Sequence, residues 1–239
     1  MCTLTYLLND NGYELFFNRD EQRSRLPAIP PAVDQTLNAI YPVDPQGQGT
    51  WIAVSQQGLT LALLNYYQAP LNSHHHIVSR GQLILSLLKT KQDILAQLKS
   101  MDLHVYQPFQ LCVFPNNLSK ANRTMYSVKW TGRELILDGF SLPVTSSSID
   151  FADVSQKRSQ QFTRLVDANQ PSSEQLKNYH FSTDAIGKHS VNMNREDAQT
   201  VSIAHISVND TIRFNYFDNV LKQELSAIVD RVRELEVNS

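Results

Sequence analysis

Apolar and polar residues run in strand-like stretches over Cys2-Thr3-Leu4-Thr5-Tyr6-Leu7-Leu8 and Tyr13-Glu14-Leu15-Phe16-Phe17-Asn18, on either side of Asn9-Asp10-Asn11-Gly12. That pattern predicts a hairpin. Its register depends on the loop. A four-residue loop sets Leu8 against Tyr13 and Cys2 against Arg19. A two-residue Asn11-Gly12 turn sets Cys2 against Glu21, and a three-residue loop sets it against Asp20. In every register Cys2 faces a member of the Arg19-Asp20-Glu21 run, with Cβ atoms about 5 Å apart.

A Pro-rich loop (Pro27, Pro30, Pro31) follows. Trp51–Ser55 and Leu59–Leu64 flank Gln57-Gly58 and predict a second hairpin. The spacing turns helical over 80–101, with Leu83, Ile84, Leu87 and Leu88 on one stripe and Ile94, Leu95, Leu98 and Met101 on another. Strands are expected at 109–115, 124–130 and 133–138, the last two joined at Thr131-Gly132. A helix is expected near 154–168, carrying Phe162, Leu165 and Val166 on one face, then strands at 199–207 and 211–217. Leu221, Leu225, Ile228, Val229, Val232 and Leu235 predict a terminal amphipathic helix. Strand runs that are apolar on both faces suit sheets covered on both sides, and the element order suits an α+β fold with two sheets between helical layers.

Composition narrows the function. With 239 residues, 41% hydrophobic and 18% charged, the chain is globular and large enough for a substantial core. A formal charge of −2 lacks the basic excess of a general nucleic-acid binder. No apolar run reaches the roughly 20 residues of a membrane helix, and no basic n-region with a long apolar core marks a secretory signal. Cys2 and Cys112 make no disulfide framework, and Cys112, within Phe109–Phe114, reads as a buried core thiol. The compartment expected is the cytoplasm. No Cys-x-x-Cys, phosphate-binding loop or dinucleotide glycine pattern occurs. His74-His75-His76 reads as a solvated loop, because adjacent side chains diverge and seldom converge on one ion. No metal site is expected.

Chemistry concentrates near the N-terminus. Cysteine in second position is small enough for removal of Met1. Removal leaves a thiol and a free α-amine on one residue, a nucleophile with its own base. A guanidinium opposite Cys2 favours thiolate, and a carboxylate there can orient the cation. Arg19 and Arg80 suit a carboxylate, phosphate or propionate, whereas Arg23 and Arg25 read as ordinary surface charge. Asn65 ends an apolar strand, where an amide either donates to an oxyanion or ligand carbonyl or caps a turn. Trp51 either walls a pocket or fills the core.

Met1-Cys2, Asn18-Arg19-Asp20-Glu21, Gly49-Thr50-Trp51-Ile52, Ala62-Leu63-Leu64-Asn65-Tyr66 and Ser79-Arg80-Gly81 occur in this order. Together they resemble the NRDE family, also called the transport and Golgi organisation family, densely over 1–90 and thinly beyond. The resemblance implies one domain over 1–239, a four-layer αββα sandwich of N-terminal-nucleophile hydrolase type. It also implies an intracellular role in haem trafficking or in lipid and acyl-CoA homeostasis. The ligand-binding set implied is Asn18, Arg19, Asp20, Glu21, Trp51, Asn65, Arg80 and Arg195. The partner expected is a small anionic amphiphile, haem or a fatty acyl-CoA, with no further cofactor. The alternative is a Cys amidohydrolase on linear amides using Cys2, Arg19, Asp20 and Asn65. The related choloylglycine and penicillin V acylases pair an N-terminal Cys with Arg, Asp, a central-strand Asn and a late Arg. Here Arg19 and Asp20 are adjacent rather than spaced by two, Thr145–Ser148 offers only hydroxyls where the Asn would fall, and Arg195 is the candidate late Arg. These departures rank the carrier above the enzyme.

Overall fold

The computed structural model describes residues 1–233 apart from 74–76, 91, 140 and 186. The histidine run and the end of the expected terminal helix therefore lie outside the described residues. Strands β1 (Cys2–Asn9) and β2 (Gly12–Gln22) pair antiparallel with Leu8 opposite Tyr13 and Cys2 opposite Arg19. This is the register of the four-residue loop, tightened because Asn9 also pairs with Gly12.

The next seven strands form an antiparallel meander in chain order: β3 (Ile29–Asp34), β4 (Ala39–Val43), β5 (Ile52–Ser55), β6 (Thr60–Asn65), β7 (Phe109–Phe114), β8 (Tyr126–Trp130) and β9 (Leu135–Asp138). Pro30 and Pro31 belong to β3 rather than to a loop. They are tolerated there because β3 is an edge strand whose pairing is irregular between Ile29 and Ala32.

The other sheet has the order β10-β1-β2-β11-β12-β13, with β10 (Val144–Ser146), β11 (Ala198–Val208), β12 (Thr211–Asp218) and β13 (Gln223–Asp230). The terminal helix expected from 221 to 235 is replaced by β13 across the described part. Leu225, Ala227 and Val229 alternate inward while Ser226, Ile228 and Asp230 stay exposed. The same residues fit a period of 3.6 almost as well, but pairing along β12 satisfies the backbone of an otherwise open edge.

Leu4, Leu15 and Phe17 of one sheet meet Ile40, Ile52, Val54, Ala62, Leu64 and Phe114 of the other in the central core. Helices α1 (Gly81–Leu88) and α2 (Ile94–Ser100) cover the outer face of the seven-stranded sheet through Leu83, Ile84, Leu87, Ile94 and Leu98. Helices α3 (Phe151–Leu165) and α4 (Ser173–Phe181) cover the six-stranded sheet, where Phe16 packs with Val166, Leu176 and Tyr179. The layers are αββα, as the family resemblance implies. Among the described residues no helix is long and apolar enough to cross a membrane.

Candidate functional site

Side chains alternate across a strand, and this decides what the Asn-Arg-Asp-Glu run can do. Arg19 shares the inner face with Cys2, Leu4 and Phe17. Asn18 and Asp20 point the other way, into the helical layer. Asp20 Oδ2 accepts from Arg158 Nη2 at 3.0 Å and Oδ1 accepts from Thr200 Oγ1 at 2.6 Å, with both members of the ion pair fully buried. Arg158 also donates to Thr3 Oγ1 and to the Ser190 carbonyl. Asn18 Nδ2 donates to the carbonyls of His180 and Val191, both at 2.8 Å. Its Oδ1 therefore faces His180 Nδ1 at 2.6 Å as acceptor, which leaves Nε2 to accept from Thr5 Oγ1 at 2.7 Å. Burial holds the His180 imidazole well below its usual pKa, helped by His205 and Arg158. The carboxylate of Asp20 and the amide of Asn18 thus do not reach a ligand in the cleft; they lock α3 and α4 onto the sheet.

On the inner side, a cavity of about 520 Å³ opens where the two sheets end, lined by Met1, Cys2, Arg19, Glu21, Trp51 and Arg80 among others. That volume suits a small-molecule site. Arg19 lies over the Trp51 ring at 4.1 Å and reaches Glu21 at 3.5 Å and Asp44 at 3.7 Å. Arg25 binds the same two carboxylates, so it belongs to the site rather than to the open surface. Burial works to push the Asp44 carboxyl up, but the hydrogen bond and charge of Arg25, with the charge of Arg19, hold it below the usual range. Arg80 is different. It donates to the Pro108 carbonyl at 2.9 Å and has no carboxylate partner among the described residues. Burial pulls its guanidinium pKa down, against the pull of Tyr67, Cys2 and Glu21.

Asn65 donates to the Tyr67 hydroxyl at 2.7 Å. Burial pushes the Tyr67 phenol up. Cys2 is half-buried and unpaired. Burial raises its thiol, and the Met1 ammonium opposes the rise. The α-amine is carried by Met1 and donates to the Asp20 carbonyl at 3.3 Å. Arg195 stands at the rim: Nη1 approaches Met1 Sδ at 3.6 Å and its guanidinium pairs with Asp197. It does not line the cavity. Among the described residues, no three His, Cys, Asp or Glu side chains gather as a metal site would require.

The glycines of two sequence motifs are explained by one contact. A Cβ on Gly49 would lie 2.3 Å from the Gly81 carbonyl carbon, and one on Gly81 would lie 2.9 Å from the Thr50 nitrogen. Thr50 N–H donates to the Gly81 carbonyl at 3.1 Å. Only two bare backbones can approach so closely, and their contact delivers Arg80 and Trp51 to the same cavity.

Tyr67, Asp44 and Arg158 escaped the sequence reading. Arg158 had a readable signal: it sits at helical spacing in a stripe with Val154, Phe162 and Leu165. Tyr67 follows Asn65 by two residues, in the turn just past the end of β6.

Two packed antiparallel sheets between helices, with the first strand inside its sheet and its Cys at a cavity, define the N-terminal-nucleophile hydrolase class of fold. Solved members superpose on the chain. A C2A mutant of the conjugated bile acid hydrolase from Clostridium perfringens aligns over 100% of both chains, at a TM-score of 0.50 and 10% identity. A Caenorhabditis elegans N-acylethanolamine-hydrolyzing acid amidase orthologue aligns over 86% of this chain and 92% of its own, at 0.55 and 10%. Within that class, the chain belongs to the Transport and Golgi organisation 2 family, whose model matches residues 1–233. The human Transport and Golgi organization protein 2 homolog is 30% identical over 126 residues, which is 50% of this chain and 45% of the human one. The Bos taurus homolog is 29% identical over the same length. The chain thus matches a little under half the length of these curated relatives.

Proposed function

We propose that the cavity beside Cys2 binds a small anionic amphiphile and that the protein is a cytoplasmic carrier for it, with haem and fatty acyl-CoA as the ligands to test. The observation that supports this reading is Arg80. The cavity gathers the cations Arg19, Arg25, Arg80 and the Met1 ammonium against the carboxylates Glu21 and Asp44. The two carboxylates are engaged by Arg19 and Arg25, so Arg80, without a carboxylate partner among the described residues, can take an incoming carboxylate, propionate or phosphate. Trp51, Leu63, Ile77 and Val78 supply apolar wall.

Losing a hydrogen bond to a charged group removes about 1.5–3 kcal/mol, or about 10- to 150-fold in Kd. Arg80→Gln is expected to weaken haem or palmitoyl-CoA binding by that factor in a fluorescence or absorbance titration. Absence of saturable binding of either ligand by the wild type refutes the carrier reading.

A second reading, a Cys amidohydrolase, is favoured by one observation: Cys2 faces the cavity from β1 with Arg19 opposite. It ranks lower because the Asn65 amide is engaged by Tyr67. Turnover of N-acyl amides by protein of known intact mass, lost in Cys2→Ala, reverses the ranking.

A further inference from the structure

Cys2 has a directly opposed neighbour on each side. Arg19 faces it from β2, and Ser146 faces it from β10. Directly opposed residues of antiparallel strands share a face, with Cβ atoms about 4.5–5.5 Å apart. Val144, two residues before Ser146, packs in the core between the sheets, so Ser146 also projects to the inner face. Ser146 is 4% exposed, and among the described residues its hydroxyl has no hydrogen-bond partner.

A buried orphan hydroxyl destabilises a fold by about 1–3 kcal/mol and calls for a reason. Its neighbour Thr145 is also orphaned but faces the helical layer, opposite Thr3. Across the ladder from Ser146 stands the Cys2 sulfur. A neutral thiol is a weak acceptor, whereas a thiolate accepts strongly. A hydroxyl is a free rotor, so it can stand idle beside the thiol and turn when the sulfur takes on charge.

We propose that Ser146 is a positioning residue for Cys2: its hydroxyl donates to the Cys2 sulfur in the thiolate state and, with Arg19 on the other side, holds it as a nucleophile facing the cavity. The thiol proton passes to water, and the hydroxyl keeps its own. The thiolate pair then forms a bond to an electrophilic carbon, whose leaving group departs with the electrons of the broken bond. The other groups around the sulfur are the Met1 ammonium, Arg80 and the Asp20 backbone N–H, which favour the charge, the Asp20 carboxylate, which opposes it from the other face of β2, and Tyr67 and Glu21 on the cavity wall. None of them is altered by changing Ser146.

The inference rests on the Cys2 cavity being the functional site, but its test needs no ligand. Failure of anion binding and failure of this inference are therefore separate results. The test is the rate of Cys2 alkylation by iodoacetamide from about pH 6 to about pH 10, followed by mass spectrometry of the N-terminal peptide, with intact mass fixing the N-terminus of each sample. Buried Cys112 serves as the internal control for the fold. Ser146→Ala is expected to raise the midpoint of the profile by about 1–2 pH units, the equivalent of one hydrogen bond to a charged group. Ser146→Thr is expected to restore it. Because an orphan hydroxyl has been removed, Ser146→Ala is expected to melt no lower than the wild type. Superimposable profiles overturn the proposal. So does a fall in melting temperature with alkylation of Cys112, which would assign the hydroxyl to the fold rather than to the sulfur.

Discussion

Asp20 sits inside a sequence motif at the mouth of a cavity, yet its removal is expected to strike the fold. Both side chains of the Asp20–Arg158 pair are fully buried, at 3.0 Å, and Thr200 fills the second carboxylate oxygen. Asp20→Ala leaves the Arg158 guanidinium in the interior, with its Nε already unpartnered. Breaking a buried pair from one side destabilises by about 3–5 kcal/mol. For a chain of 239 residues, at about 2–4 °C per kcal/mol, the melting temperature should drop by about 6–20 °C. Asp20→Leu combined with Arg158→Met removes both charges at similar volume and is expected to recover most of that loss. Scanning calorimetry of Asp20→Leu, Arg158→Met and the double variant measures the coupling. If Asp20→Ala melts within about 2 °C of the wild type while ligand binding is lost, the assignment of Asp20 to the helical layer is wrong.

Three more outcomes follow from described contacts. His180 is neutral when folded, but below its unfolded pKa of about 6.5 the unfolded chain takes up the proton the folded one refuses; urea unfolding should therefore show a loss of about 1.5–2 kcal/mol from pH 6.5 to pH 5. A flat profile over that window would mean that His180 is not sealed from water. Gly49→Ala, forced against Gly81, is expected to destabilise by about 1–3 kcal/mol in the same assay and to weaken ligand binding. Gly139→Ala, with nothing within 4 Å of the new Cβ, is expected to do neither; equal effects would dispose of the close-approach account.

The first hairpin could be read from sequence because its turn residues and flanking runs are local, and three registers were all the chain allowed. The same alternation that sets Cys2 beside Arg19 turns Asn18 and Asp20 away, so the division of labour within the motif was readable too. Helix α4 carries a capping box, Ser172 with Gln175, a local signal that was present and unused. β10 is three residues long and becomes a strand only by pairing with β1, so no window of sequence reveals it. β13 was mistaken for a helix because its apolar residues satisfy both periods, and only the neighbouring edge of β12 decides between them. The approach of Gly49 to Gly81 joins segments more than thirty residues apart, a proximity that no local pattern encodes.

The strand order β10-β1-β2-β11-β12-β13 also sets a timetable for synthesis. The hairpin that carries Cys2 and Arg19 leaves the ribosome before its ladder partners, residues 144–146 on one side and 198–208 on the other. Until those segments appear, both edges of the hairpin stay open, and Asp20 has neither Arg158 nor Thr200 to meet. The seven-stranded meander, built from neighbours in sequence, can close earlier. The cavity lies between the part of the molecule that can finish early and the part that must wait, so a nascent chain holds an unfinished Cys2 site until residues 198–208 have emerged.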